Sequence, residues 1–398
     1  MSQVDLAERN RRLAAARHAP RPKHAVRRAL LRVLAAWPRL PRPPRPNPDH
    51  VLFIRPDHVG DALLSTPAIL AFKQARPHAR ISVLCGAWAA EVYAAYPEID
   101  QVLTLPFPGF VRGKKTGGWF GPYGLAFRSA GWLRQLGAGV AVLLRPDHWW
   151  GGLLAARAGI PVRVGYATPD LAPFLTERRP YTPAHAVQEG IGLIEGLTGP
   201  ISAAVRLTFP VHPADSAYVD SLLDPALRGG PLVVIHPGAG SPYKTWAAGN
   251  WAQVADVLVE RAAVRIVFTG SDREHAPILT ALGLMRHASA AQSLAGETNL
   301  AQLAALYARA VLVMGPDTGP LHLAVAVGTP TIHLYGPADP ARFGPYGDPQ
   351  KHVVIGSEMA CRPCGILDWT GDDPANHPCI RDIATARVLA AALRAVRG

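Results

Sequence analysis

The sequence predicts an α/β protein built as two doubly wound domains, each a largely parallel sheet with helices on both faces. Three observations carry this expectation. The chain has 398 residues, more than one core of ordinary size accommodates and enough for two. Short apolar runs of strand character alternate with helical stretches, the pattern of a parallel sheet. The alternation breaks over residues 210–230, which hold Pro210, Pro213, Pro225 and Arg228-Gly-Gly-Pro231, and then starts afresh. The expected division is therefore 1–46, 47–220 and 221–398.

Residues 1–46 form a basic, Pro-rich arm. They hold 12 Lys+Arg against only Asp5 and Glu8, whereas the remainder holds 29 Lys+Arg against 27 Asp+Glu. The net charge of +12 thus belongs to the arm, and the body is nearly neutral. Within the arm, Ala25–Trp37 reads as a helix with an apolar face, and Pro38–Pro46 as an extended linker that cannot be helical. Two readings stay open for the arm: a foot on anionic lipid, or a solvated extension. Nucleic-acid binding is not expected, because the body lacks interleaved basic and aromatic residues.

In the first domain, Val51–Ile54, Arg80–Cys85, Val102–Leu105, Val140–Leu144 and Arg163–Gly165 read as strands, with a helix over Asp61–Arg76. Residues 106–124, rich in Gly, Pro, Lys and aromatics, read as an exposed loop. In the second, Leu232–Ile235, Arg265–Thr269, Val311–Met314 and Thr331–Tyr335 read as strands, with helices near Trp251–Ala263, Leu300–Arg309 and Thr385–Val396. In such folds the ligand sits at the carboxyl ends of the strands, here in a cleft between the domains.

Three loops at strand ends could carry chemistry. Arg55-Pro-Asp-His-Val-Gly-Asp61 opens a helix after the first strand. Asp61 there suits an N-cap, the commoner role, or a general base, with Asp57 and His58 as competitors. His236-Pro-Gly-Ala-Gly-Ser-Pro-Tyr-Lys244 follows the first strand of the second domain. Its amides could hold phosphate oxygens, with Lys244 adding charge, although it matches no standard phosphate-loop spacing. Gly315-Pro-Asp-Thr-Gly-Pro-Leu-His322 leads into a helix whose N-terminus favours an anion. Asp317 suits amides or sugar hydroxyls better than phosphate, and His322 lies one turn in. Three such loops at strand ends are more than chance turns usually supply.

Those loops, with Gly328-Thr-Pro330 and Tyr335-Gly-Pro337, resemble the ADP-heptose:lipopolysaccharide heptosyltransferases of glycosyltransferase family 9, from about Val51 to the C-terminus. The resemblance implies a GT-B fold, two Rossmann-like domains facing across a cleft, with acceptor on the N-terminal domain and donor on the C-terminal one. It implies an inverting, metal-independent glycosyltransferase with no cofactor beyond its nucleotide-sugar donor, ADP-heptose, and with a lipid-linked saccharide as acceptor. On that pattern Asp61 matches the general base and Lys244 a residue on the donor diphosphate. Asp317, Thr318, Gly319 and His322 match the donor loop, and Glu274 a carboxylate on the nucleoside. Gly240 and Ser241 stand where some members place threonines on the phosphates, so Ser241 or the loop amides take that part. Another nucleotide sugar, a protein acceptor, or a nucleotide-sugar epimerase remains an alternative.

Cys361, Cys364 and Cys379 with His377 could be read as a zinc site, but the gap between Cys364 and Cys379 fits a compact knuckle poorly. A reduced structural loop is the preferred reading, and no metal is expected. No stretch approaches the roughly 20 apolar residues of a membrane span, and Arg9, Arg11, Arg12 and Arg17 interrupt any signal core. A cytoplasmic location follows, with peripheral inner-membrane contact open to residues 1–46.

Overall fold

Two parallel sheets of six strands organise the chain, each in its own compact unit. The computed structural model describes residues 2–19, 22–36, 45–111, 118, 121–369 and 371–397. One unit comprises residues 20–205. The other comprises residues 206–398 together with the first 19 residues.

In residues 20–205 the order is α2 (Pro22–Ala36, after α1, Gln3–His18), β1 (Asn47–Arg55), α3 (Val59–Ala75), β2 (Arg80–Cys85), α4 (Ala90–Ala94), β3 (Gln101–Thr104), α5 (Gly121–Gln135), β4 (Ala138–Leu143), α6 (Trp149–Arg157), β5 (Val162–Tyr166), β6 (Glu177–Arg179) and α7 (Ala186–Thr198). The strands lie in the order β3-β2-β1-β4-β5-β6, all pairs parallel. Central β1 runs Val51-Leu-Phe-Ile54 with every side chain buried, as a strand covered on both faces requires. Leu52, Ile54, Leu143, Trp150 and Phe174 build one face of the core, and Leu31 of α2 is buried among them.

In the other unit the order is α8 (Pro213–Leu222), β7 (Leu232–Ile235), α9 (Ala248–Ala262), β8 (Arg265–Phe268), α10 (His275–Leu284), β9 (Ala291–Ser293), α11 (Leu300–Arg309), β10 (Leu312–Pro316), α12 (Gly319–Ala326), β11 (Thr331–Tyr335), α13 (Pro340–Phe343), β12 (His352–Gly356) and α14 (Thr385–Arg397). Its strands lie in the order β12-β11-β10-β7-β8-β9, again all parallel. Ile235, Trp251, Phe268 and Met314 are central to its core.

The two sheets share one topology. In each, the first strand lies beside the fourth, and the chain winds outward from that pair in both directions. The reversal leaves a crevice at the carboxyl ends of the two central strands, where doubly wound sheets bind ligands. That places the loops after β1 and β4 together in one unit, and the loops after β7 and β10 together in the other.

Several expectations are adjusted. The units part at residues 205 and 206, upstream of the proline-rich 210–230 stretch, because α8 packs on α11 of the second sheet. The stretch expected as a loop over 106–124 includes the start of α5 at Gly121, and its middle lies outside the described residues. So does the linker expected over 38–46, apart from its end. The rest of the arm is two helices, one in each unit. On α2, Arg27 and Arg28 pair with Asp170 of the N-terminal sheet domain, Arg28 at 3.3 Å.

Candidate active site

In the N-terminal unit, the chain leaves β1 at Arg55 and enters α3 four residues later. Asp61 falls in the first turn of α3, where a carboxylate is favoured by the helix dipole. It does not occupy the N-cap, which is His58 and makes no side-chain cap bond. The Asp61 side chain is about one-third exposed, at 35%, and Oδ1 accepts from Arg55 Nη2 at 3.2 Å.

Arg55 is itself buried and held from three sides. Nη1 donates to the Leu144 carbonyl at 2.9 Å, and Nε lies 2.8 Å from Asp57 Oδ2. Asp57 also takes an ion pair from Arg145, whose Nε donates to Asp147 at 2.6 Å. Burial alone would raise the Asp57 pKa, but Arg55 and Arg145 outweigh it and hold the carboxyl below its ordinary value. Asp57 is therefore an ionised strut between two arginines, leaving Asp61 as the more accessible carboxylate of the loop. Behind this network His148 is buried against Phe107 and Trp150. Burial pushes its pKa down to about 3, so the ring is neutral at pH 7.

In the C-terminal unit, the loop after β7 carries Gly238, Gly240, Ser241 and Lys244. It starts so close to the end of β10 that a Cβ on Gly315 would overlap the His236 carbonyl. That proximity brings Lys244 Nζ to 2.6 Å from Asp317 Oδ2, with both side chains only 12% and 10% exposed. Thr318 stands at the N-cap of α12 without a side-chain bond to its own helix, and Gly319 is the first helical residue. His322 is buried one turn in, its ring 6.0 Å from that of His333.

Glu274 lies after β8 and completes a capping box, Oε2 accepting from Ser271 N at 2.7 Å and Oγ at 2.8 Å. Its carboxylate also sits directly over Gly238, where any Cβ would overlap Oε1. Gly238 thus admits the Glu274 carboxylate at close approach and has no unusual backbone angle. Glu274 and the phosphate-type loop consequently share one end of the sheet.

The structure brings Gly240, Lys244, Glu274, Asp317, Thr318, Gly319 and His322 to the carboxyl ends of β7, β8 and β10. Ser241 lies in the same loop as Lys244. Its hydroxyl donates to the Leu367 carbonyl at 2.6 Å and accepts from Tyr243 N at 3.2 Å, which ties the loop to the segment after β12.

With a cationic lysine and a helix N-terminus at the switch point of one sheet and a carboxylate at the corresponding point of the other, the chain can be set beside known proteins. The sequence model described as glycosyltransferase family 9 (heptosyltransferase) matches residues 132–365, more than half of the chain. The chain belongs to glycosyltransferase family 9. It is 26% identical to lipopolysaccharide heptosyltransferase 3 of Escherichia coli over 294 residues, 73% of this chain and 84% of that protein. It is 28% identical to lipopolysaccharide heptosyltransferase 1 of Pseudomonas aeruginosa over 324 residues, 79% of this chain and 85% of that protein. In fold it is similar to ADP-heptose lipopolysaccharide heptosyltransferase II of E. coli, with a TM-score of 0.70 at 23% identity, over 87% of this chain and 98% of that one.

This family 9 glycosyltransferase therefore has the GT-B architecture that its motifs implied. The matched region takes in Lys244, Glu274 and the loop after β10, while Asp61 lies upstream of it. Sequence reasoning missed Arg145, Asp147 and His148. A signal was available: Arg-Pro-Asp-His occurs at 55–58 and again at 145–148, each time directly after one of the two central strands. The adjacency of β1 and β4 is what lets the arginine of the second copy reach the aspartate of the first.

Cys361, Cys364 and Cys379 lie in the segment between β12 and α14, all reduced. Burial raises all three thiol pKa values, that of Cys379 to about 12. Among the described residues no group of three His, Cys, Asp or Glu side chains is arranged to hold a metal ion. Among the same residues no helix is long and apolar enough to cross a membrane.

Proposed function

We propose that this enzyme transfers heptose from ADP-heptose to a lipopolysaccharide core or a related envelope saccharide, with inversion at the anomeric carbon. The observation that carries the reading is the Lys244–Asp317 pair beside the N-terminus of α12, a cation and a helix dipole poised for a diphosphate. Curated relatives over most of the chain's length are lipopolysaccharide heptosyltransferases, which supports the choice of sugar and acceptor.

In this reading the C-terminal unit takes the donor. Lys244 and the amides of the loops after β7 and β10 neutralise the diphosphate as it departs, replacing a metal ion in that part. Asp317, now held by Lys244, is released to sugar hydroxyls or amides as phosphate claims the lysine. His322 borders the diphosphate, and Glu274 takes the nucleoside. The N-terminal unit takes the acceptor, and Asp61 removes the proton from its hydroxyl as that oxygen attacks the anomeric carbon. Arg55 fixes the direction of Asp61. The acceptor is a lipid-linked saccharide reached in the cytoplasm, with peripheral contact at the inner membrane through the arm.

The test is product analysis. With ADP-heptose and heptose-deficient lipopolysaccharide, mass spectrometry should show one heptose added to the acceptor. Transfer from a UDP- or GDP-sugar in preference would discard the donor assignment. Isomerised free sugar without acceptor would indicate an epimerase.

A further inference from the structure

The basic N-terminal helix α1 is an integral layer of the donor unit. Its residues Gln3, Ala7, Asn10, Ala14 and Arg17 recur at spacings of four and three, one face of a helix. Ala7, Asn10 and Ala14 are buried, at 3%, 2% and 7% exposure. The small alanines let the helix approach closely, and the polar members find specific partners. Arg9 Nη2 donates to both carboxylate oxygens of Asp372, each at 2.8 Å, a charge-assisted contact. Asn10 Nδ2 donates to the Asn376 carbonyl at 2.8 Å, and Arg11 Nε to that of Ala360 at 3.2 Å. Arg17 lies over the Trp369 ring, 4.9 Å from its centre. Three of the four α1 arginines thereby contact the 357–384 segment, and Arg12, on the outer face, pairs with Glu8 of the same helix.

All these partners lie in residues 357–384, a long segment whose sole helical piece among the described residues is the short turn Pro374–Asn376. A segment that long, with so little regular structure, owes its shape to what it packs against. On one side that is α1. On the other it is the loop carrying Lys244. Ser241 Oγ donates to Leu367 O at 2.6 Å, and Trp246 Nε1 to Ile383 O at 3.0 Å. Tyr243, the neighbour of Lys244, meets His377 edge-on at 5.5 Å, and His377 stacks on Trp369 at 4.2 Å. Ala14 of α1 closes the stack directly, in one buried cluster with Tyr243, Ile366 and Trp369.

We propose that α1 positions Lys244: the helix clamps the 357–384 segment onto Tyr243, and so sets the loop that presents the lysine to the donor diphosphate. Ala14, Tyr243 and Trp369 are positioning residues in this sense, acting through Lys244 without touching the donor. The proposal rests on the reading that Lys244 contacts the diphosphate.

The test uses full-length variants and ADP as probe. Ala14→Asp inserts a charge into the cluster, Ala14→Ser conserves its size, and Arg12→Gln alters the outer face. Calorimetry should show the Kd for ADP raised at least tenfold in Ala14→Asp and unchanged in the other two. Labelling of Cys361 and Cys364 by N-ethylmaleimide, followed by mass, reports release of the segment and should accelerate in Ala14→Asp alone. Circular dichroism melting separates release from general unfolding, and Arg9→Gln provides a milder second variant expected to change in the same direction. Faster labelling with unchanged ADP affinity would overturn the proposal, as would labelling that does not respond to Ala14→Asp. If Lys244→Ala itself leaves ADP affinity unaltered, the underlying donor reading has failed. If Lys244→Ala weakens ADP and an undocked Ala14→Asp does not, the clamp alone has failed.

Discussion

Two carboxylates separated by four residues do different work because their surroundings differ. Asp57 is enclosed by two guanidinium groups, so its charge is spent inside the protein. Asp61 shares one of those guanidinium groups but keeps about a third of its side chain in solvent, where an acceptor hydroxyl can reach it. Asp61→Asn preserves shape and removes the proton acceptor. Turnover should fall by about 10²–10⁴-fold while the Kd for ADP stays constant, measured by kinetics and calorimetry on the same preparation. Equal turnover would take Asp61 out of the reaction. Gly238→Ala should weaken ADP binding, because its methyl group would displace the Glu274 carboxylate. An ADP affinity equal to that of the parent would contradict the place given to Glu274. At this scale the glycines, Asp61, Lys244 and Asp317 were legible in the sequence because each stands in a loop directly after an apolar strand. Ser241 was not, since its partner Leu367 lies 126 residues away and no local pattern announces that bond.

Among the elements, the central strands were legible because full burial makes them continuous apolar runs. Two of the edge strands were not: β6 is Glu177-Arg-Arg179 and β9 is Ala291-Gln-Ser293, polar and three residues long. The first helix escaped for a related reason. Its docked face is Gln, Ala, Asn, Ala and Arg, which carries no apolar stripe for periodicity to find. The second helix was foreseen, but as part of an arm. Leu31 on α2 is fully buried in the core of the N-terminal unit, whereas Val33 is 58% exposed. Leu31→Ala should therefore cost about 2–5 kcal/mol, and Val33→Ala less than about 0.5 kcal/mol, by urea titration. Equal, small effects would mean that α2 is not part of this unit's core.

Across the whole molecule, each unit holds a buried neutral histidine. His148 lies in the N-terminal unit with its pKa lowered by burial to about 3. His236 lies in the C-terminal unit with its pKa lowered by burial to about 4. The unfolded chain would titrate both near 6.5, so between that value and the folded one it binds more protons than the native state. Stability is then full above about pH 6.5 and declines as pH falls toward the folded values. By pH 5 the loss should be about 2 kcal/mol per histidine, read from denaturant midpoints at pH 7 and pH 5. A midpoint that does not fall would contradict neutral burial. The doubly wound class was legible at this scale from the alternation alone, because parallel strands demand helical crossovers. The division at residue 205 was not, because it depends on which sheet α8 packs against.

The central claim is that the C-terminal unit binds an adenine nucleotide sugar through Lys244 without a metal ion. Calorimetric titration with ADP, UDP and GDP in EDTA, on the parent chain and on Lys244→Ala, tests it most directly. The account predicts that ADP binds most tightly and that Lys244→Ala weakens it by about 10–100-fold, the value of a charge-assisted contact. Preference for UDP or GDP, or an ADP affinity indifferent to Lys244, would contradict it.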